Sequence, residues 1–135
     1  MRLAVLAAAA VAAGCAANPS ESPAPVKLID TKVDTVGAPI RYPEGTAHVS
    51  SYVLTLVPGK ETGWHRHDVP LYAHVLSGAL TVDYGPKGSK TYRTGDTLME
   101  AMDIWHNGHA IGDEPARLLI VFMGSDGAKN TVMRK

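Results

Sequence analysis

Residues 59–78 read GKETGWHRHDVPLYAHVLSG, in which His65 and His67 are separated by a single residue. In an extended strand successive side chains point to opposite faces, so these two imidazoles share a face, about 7 Å apart at the backbone. On a helix the same spacing would turn the two rings away from each other. The pair can therefore converge on one ion if this segment is a β-strand.

Turn residues bracket the histidine pair. A proline–glycine turn at 58–59 precedes it, and the apolar run 71–76 ends in a second turn at 77–78, which predicts a buried strand. Farther along, Gly-Asp at 95–96 opens another strand that leads to His106, a third candidate ligand. Imidazole suits zinc, copper, iron and nickel, and three such ligands with an open side form a reactive site.

Together these segments resemble the two motifs of the cupin family. The motifs, G-x5-H-x-H-x3-E-x6-G and G-x5-P-x-G-x2-H-x3-N, are matched in order by Gly59, His65, His67 and Gly78, and by Gly95 and His106. The resemblance implies an all-β fold, a single cupin barrel of the double-stranded β-helix or jelly-roll type. It also implies a divalent transition metal (iron, manganese, copper, nickel or zinc) on the three histidines, a small-molecule ligand or substrate, and pairing as a homodimer.

Four positions depart from these motifs. Leu71 stands where the family usually has a glutamate ligand, and Ala101, Asp103 and Ala110 replace the proline, glycine and asparagine of the second motif. Three neutral histidines leave a divalent ion with its full double charge, so the centre should favour water or an anionic chelating substrate. Some cupin oxygenases have a three-histidine iron site, so the missing glutamate is compatible with a metal.

Glu100 is the carboxylate that we select as the candidate catalytic residue. It could enter the cavity as a metal ligand, as a general base, or as the acceptor for a histidine N–H. The alternative is a solvated strand residue. Asp68 and Asp103, in predicted loops beside the ligand histidines, are further candidates for such acceptors.

A fourth histidine, His74, lies in the apolar run after the motif pair. If the alternation holds through Pro70, His74 faces away from His67 and belongs to the outside of the barrel. A bulge at Pro70 would reverse the parity and make His74 a fourth ligand. Trp64 and Trp105 each precede a ligand histidine, so both should face away from the metal and pack or line the rim.

The rest of the chain is a succession of short apolar or alternating segments separated by turn residues. Strands are predicted at 27–36, 48–57, 79–84, 90–93, 97–101, 105–111 and 116–123. No segment shows sustained helical periodicity with caps. Strands at intervals of about ten residues favour a sandwich or barrel. The strand pattern and the family resemblance therefore indicate the same fold class by separate routes.

Composition indicates one globular domain, with 45% hydrophobic and 19% charged residues in 135. The formal net charge is zero, which gives no electrostatic support to a nucleic-acid partner. We therefore predict none.

The start of the chain has the features of an export signal. Residues 1–14 combine a basic start with a short apolar run, and Ala-Ala-Gly-Cys at 12–15 resembles a bacterial lipobox. Cys15 is the only cysteine, so the chain can form no intramolecular disulfide, and we predict its lipidation. This would anchor the protein in the bacterial cell envelope, in a periplasmic or other extracytoplasmic position, with the membrane contacted only through the lipid. An ordinary signal peptide with an incidental cysteine is the alternative.

The predicted organisation is a signal peptide at 1–14, a Pro/Ser-rich tether at 15–25, a cupin barrel at 26–124 and a C-terminal tail at 125–135. Three functions are consistent with it. The first is a metal-dependent enzyme of the dioxygenase or related oxidoreductase type. The others are a module that binds a metal or small ligand without chemistry, and a metal-free structural barrel.

Overall fold

The computed structural model describes residues 24–135, and most of their regular structure is β-strand. The strands of this part of the chain are β1 (Ala47–Leu56), β2 (His65–Arg66), β3 (Leu71–Ser77), β4 (Ala79–Asp83), β5 (Ser89–Arg93), β6 (Thr97–Met99), β7 (Asn107–Ala110), β8 (Ala116–Ser125) and β9 (Val132–Met133). A short 3-10 helix, Gly85–Lys87, joins β4 to β5. Within residues 24–135 no helix has the length and apolar character needed to cross a bilayer.

The strands form antiparallel sheets that close around one core. A four-stranded sheet has the order β1-β8-β3-β6, a three-stranded sheet has the order β5-β4-β7, and β2 pairs with β9. The core between the two larger sheets contains Leu56, Val75, Leu80, Val82, Leu118 and Phe122. The predicted fold class, an all-β barrel of the jelly-roll type, is confirmed.

Strand β3 sets which side chains enter the barrel. Leu71, Ala73 and Val75 are buried, whereas Tyr72 and His74 are partly exposed on the other face. The register shift in this strand lies between Val75 and Ser77, after His74. The alternation therefore holds as predicted, and His74 lies outside the barrel, where its Nδ1 is 3.3 Å from the Thr97 hydroxyl.

The predicted strand at 27–36 was wrong. This segment is irregular, because the buried Asp34 turns the chain back instead of letting it pair along a sheet edge. Its Oδ1 accepts hydrogen bonds from the N–H groups of Val36 (3.0 Å) and Ala38 (2.9 Å), and its Oδ2 accepts one from Met102 (3.1 Å). Side-chain acceptors of this kind favour turns over strands.

Asp103 occupies the position of a motif glycine and has the left-handed backbone that glycine would adopt, with φ of 60°. Aspartate tolerates this region better than most residues. Its carboxylate forms an ion pair with Arg41, 2.6 Å long, and its N–H donates to the His67 carbonyl. The contact with His67 links this loop to the histidine segment.

We expect an Asp103→Gly variant to be more stable than Asp103→Ala by about 1 kcal/mol, because alanine is strained at positive φ and glycine is not. Both variants lose the Arg41 ion pair, so its contribution cancels in the comparison. Urea denaturation of the two proteins measures the difference. Equal stability would mean that the Asp103 backbone relaxes out of the left-handed conformation at no cost.

Candidate metal centre

Two strands bring three histidines together. His65 lies in β2 and His106 directly precedes β7, and their backbones exchange two hydrogen bonds, of 3.0 and 2.8 Å. His67 follows β2 by one residue. The ring centroids are 4.4 to 5.0 Å apart, and one ligand nitrogen from each residue lies within 4.8 Å of the others. The predicted set His65, His67 and His106 is thus one compact cluster.

Backbone carbonyls fix the tautomer of all three rings. Each Nδ1 is within hydrogen-bond distance of a carbonyl oxygen, and because that oxygen can only accept, the nitrogen must carry the proton. The contacts are His65 to Gly63 (2.7 Å), His67 to Asn130 (2.9 Å) and His106 to Ile104 (2.8 Å). Each Nε2 is left with a free lone pair, which is the form that binds metals.

The His106 Nε2 provides a test of whether a metal fits. It is buried and has no hydrogen-bond partner among the described residues. A buried polar atom without a partner costs roughly 1–3 kcal/mol. A divalent transition metal bound by the three imidazoles would satisfy this atom, so the donor set fits such an ion.

Burial keeps these histidines neutral. It lowers the pKa of His67 to about 3, with the neighbouring His106 and His65 adding to the effect and the Asn130 carbonyl opposing it. Burial also lowers the pKa values of His65 and His106, against the raising effect of their own carbonyl acceptors. The cluster therefore needs no deprotonation at neutral pH before it can bind a metal.

The metal-free protein is expected to lose stability as the pH falls below 6.5. The unfolded chain takes up a proton at His67 near pH 6.5, whereas the folded chain does so only near pH 3. His67 alone should therefore lower the free energy of unfolding by roughly 2 kcal/mol between pH 6.5 and 5. Urea denaturation across this range measures the slope.

A His67→Leu variant should lose that part of the slope. Burial raises the pKa of Glu100, so its contribution to stability is present at low pH and is lost as the pH rises, the opposite sign to His67. Both proteins contain Glu100, so its effect cancels in their difference. Parallel pH profiles for the two proteins would show that His67 is not held neutral by the fold.

Glu100 lies in the wall of the same cavity. It is buried, its Oε1 accepts hydrogen bonds from the Tyr84 hydroxyl (2.7 Å) and the Ala101 N–H (2.8 Å), and desolvation raises its pKa. The alternative of a solvated strand residue was wrong. The role of acceptor for a ligand-histidine N–H belongs instead to backbone carbonyls. Glu100 is also outside the metal-binding cluster, so a role in proton transfer is the prediction that remains.

A series of hydrogen-bonded hydroxyl groups leads to Glu100. The Tyr84 hydroxyl, which donates to Glu100, is 3.1 Å from the Tyr92 hydroxyl, and this in turn is 2.6 Å from Oγ1 of Thr35. Burial raises the pKa of both tyrosines, so they stay neutral. These hydrogen bonds hold the Glu100 carboxyl group in one orientation.

The cavity beside the histidines has a volume of about 500 Å3, within the range of small-molecule sites. Leu71, which replaces the family's glutamate, lies in its wall. The other residues along the cavity include Leu54, Leu56, Glu61, Thr62, His65, His67, Ala73, Leu80, Val82, Leu98, Glu100, Leu118, Ile120 and Phe122.

Sequence reasoning missed the contribution of residues 130–133. Asn130 supplies the carbonyl for His67, Thr131 and Met133 lie along the cavity, and β9 pairs with β2 so that Met133 is opposite His65. The segment set apart as a tail is therefore packed against the histidines. Its strand has only two residues, which is too short for a periodic sequence signal.

The other residues proposed to support the ligand histidines contact different side chains. Asp68 is 3.4 Å from the Arg66 guanidinium and Asp103 pairs with Arg41, and neither accepts a hydrogen bond from a ligand histidine. Trp105 packs under the Arg66 guanidinium, 5.6 Å from its ring centre. The predicted signal peptide, Cys15 and most of the tether lie outside the described residues.

Comparison with known proteins supports the fold. Residues 52–122, more than half of the chain, match the family model described as the Cupin domain. No curated protein matches the chain.

The chain is similar to many solved structures, among them the following three. An oxalate decarboxylase from Lactobacillus farciminis in a formate complex has a TM-score of 0.54 at 20% identity, over 63% of this chain and 26% of that one. The Bacillus subtilis oxalate decarboxylase, with Mn(II) centres, gives 0.53 at 23% identity, over 63% and 23%. A DMSP lyase from Ruegeria pomeroyi gives 0.54 at 19% identity, over 63% and 42%. The match spans less than half of each of these proteins, and identities this low show the fold alone.

Proposed function

Because the chain belongs to the cupin family, we propose that it is a metal-dependent enzyme for a small molecule, of the dioxygenase or a related oxidoreductase type. The observation that carries the proposal is the His106 Nε2, a buried lone pair without a partner, grouped with two further neutral imidazoles beside a cavity of about 500 Å3. Fold alone would not support an activity, since one fold hosts many chemistries.

His65, His67 and His106 would hold the ion, through the nitrogens that their carbonyl partners leave free. A divalent transition metal supplies a Lewis acid for a bound oxygen atom and, if it is redox-active, a site for dioxygen. The protein's own residues exclude water and transfer a proton. Its apolar walls exclude water from the substrate, and Glu100 exchanges a proton with it from a carboxyl that burial keeps protonated to higher pH.

A second candidate is cleavage of a bond in the substrate without oxygen. The buried, hydrogen-bonded carboxyl of Glu100 favours it, because general acid–base chemistry needs such a group and oxygen activation does not. Two of the structurally similar proteins are a decarboxylase and a lyase by name.

Elemental analysis and turnover assays would test these proposals on full-length protein purified without a metal-binding tag. We expect about one transition-metal ion per chain. Oxygen uptake with diketone, phenolic or thiol substrates would support the oxidoreductase, and product formed equally well without oxygen would support bond cleavage. Ligand binding without any turnover would support a binding module, and a protein that stays empty after incubation with iron, copper, nickel and zinc would leave the structural barrel.

The proposal also includes an envelope location. It is supported by the sequence at 12–15 and by Cys15 being the only cysteine. Two or more acyl chains would hold the protein on a membrane, since a single chain binds only marginally. A Cys15→Ser variant should fail to incorporate labelled palmitate and leave the membrane fraction, and retention of both properties would contradict the anchor.

Pairing of two copies is the remaining part of the proposal. Strand β1 is at the edge of the four-stranded sheet, and its side chains Val49, Tyr52 and Val53 are 62%, 55% and 51% exposed. Exposed apolar edge strands favour association. Light scattering of the purified protein measures the mass, and a monomer at micromolar concentration would contradict a stable dimer.

A further inference from the structure

We infer that the cavity takes a molecule with an apolar body and a single small oxygen-bearing head group, neutral or carrying one negative charge, and that it rejects a second anionic group at the other end of that body. The inference rests on the proposed function for the head group, which the metal would bind. The argument for the body depends only on the cavity itself.

The walls of the cavity determine the body of the ligand. Both large sheets contribute buried aliphatic or aromatic side chains to it, and these are Leu56, Leu71, Ala73, Leu80, Val82, Leu98, Leu118 and Phe122. Burying apolar surface against such walls is favourable in proportion to its area. At about 30 Å3 for each water-sized group, 500 Å3 has room for roughly 15 non-hydrogen atoms. A two-carbon or three-carbon substrate would leave most of this volume unfilled.

The charges along the cavity determine how many anionic groups the ligand can have. Among the described residues that line it there is no lysine or arginine, and the ionisable groups are two carboxyls, Glu61 and Glu100, the neutral His65 and His67, and the neutral phenol of Tyr92. The metal can neutralise an anionic head group that binds it. A second anionic group at the other end of the apolar body would be buried against apolar walls, away from the metal and without a counter-charge, which is strongly unfavourable.

Glu61 adds a repulsive element at the rim. It is exposed, and its Oε2 accepts a hydrogen bond of 2.8 Å from Nδ2 of Asn107, which is buried. The neighbouring Thr62 is fixed in turn, because its Oγ1 accepts the Gly108 N–H at 2.9 Å. A negative charge is therefore held in place at the edge of the cavity, and it would repel a ligand carboxylate that comes close to it.

Three carboxylates separate these contributions in a calorimetric titration of full-length protein loaded with zinc, a redox-silent probe ion. Octanoate has one charge and an apolar chain, octanedioate adds a second charge to the same chain, and acetate keeps the head group without the chain. We expect octanoate to bind about 100-fold or more tightly than acetate, and at least 10-fold more tightly than octanedioate. Equal affinity for octanoate and acetate, or tighter binding of octanedioate, would overturn the inference.

A Glu61→Gln variant locates the ligand. Glutamine retains an oxygen to accept the Asn107 hydrogen bond, so the fold is preserved while the charge is removed. The affinity for octanedioate should rise at least 3-fold and that for octanoate should stay within 2-fold. If neither affinity changes, the ligand does not reach this rim and the role given to Glu61 is wrong.

Zinc analysis and octan-1-ol binding together distinguish failure of this inference from failure of the proposed function. If elemental analysis finds no zinc, the proposed function fails, and octan-1-ol, which is neutral, then probes the cavity alone. Binding of one octan-1-ol per chain, with none of octanedioate, would still support an apolar site that rejects a ligand with an anionic group at each end. Absence of octan-1-ol binding would overturn the inference whether or not zinc is bound.

Discussion

Metal affinity is expected to fall at least about 100-fold when His67 is replaced by leucine. The variant removes one of three imidazole ligands, and even the loss of a residue that only supports a ligand commonly costs 10- to 100-fold. Leucine fills the buried site beside Phe122, whose ring is 5.4 Å from that of His67, and the Asn130 carbonyl loses its donor. Competition with a chromophoric zinc chelator, on variant and parent, measures the change.

His74→Leu is the matched control, because it removes a histidine from the same part of the chain that faces away from the cluster. Its metal affinity should equal that of the parent. Circular dichroism and thermal melting confirm that both variants are folded. Equal metal affinity for the His67→Leu variant and the parent would place the ion elsewhere, and the function proposed for the three histidines would fail with it.

The second large effect is expected at Gly78, the last residue of the first motif. It joins β3 to β4 with φ of 72°, and a Cβ built on it would overlap the Pro115 carbonyl oxygen and lie 3.0 Å from Cα of Ala116. Backbone atoms cannot move aside as a flexible side chain can. The Gly78→Ala variant should therefore be destabilised by roughly 3 kcal/mol or more, from strain and clash together.

Gly59 provides the control for that strain. It has a similar φ of 75°, but a Cβ there would meet no atom within 4 Å. Gly59→Ala should cost only about 1 kcal/mol, so the difference between the two variants isolates the clash with Pro115. Urea denaturation of both proteins measures it. Equal destabilisation would mean that β3 and β8 separate easily enough to accept a methyl group.

The parts of the fold that could be predicted are those set by local pattern. Alternation placed His65 and His67 on one face and sent His74 to the other, and the spacing of turn residues predicted most of the strands. Alternation failed at 27–36, because it describes which face a side chain takes and not whether a neighbouring strand is available. There the carboxylate of Asp34 bonds to backbone N–H groups and turns the chain.

The hydrogen bonds that orient the three ligand histidines could not be predicted, because backbone atoms accept them. The acceptors for the three ligand histidines are carbonyls, which every residue has and no motif distinguishes. Asn130 reaches His67 across 63 positions of sequence. The side-chain hydrogen bond to Glu100 likewise comes from Tyr84, which directly follows β4 and is distant in sequence.

The carbonyl of Asn130 also has a consequence for the timing of biosynthesis. At about 5–20 residues per second, a ribosome reaches Asn130 roughly 3 to 13 s after it has added His67. Until then the His67 ring has no partner to fix its proton, and β2 has no β9 beside it. The three ligand histidines are present once His106 is made, but the carbonyl that fixes the proton of His67 is present only after Asn130 is made. Correct metal loading is therefore a step that follows synthesis of the barrel.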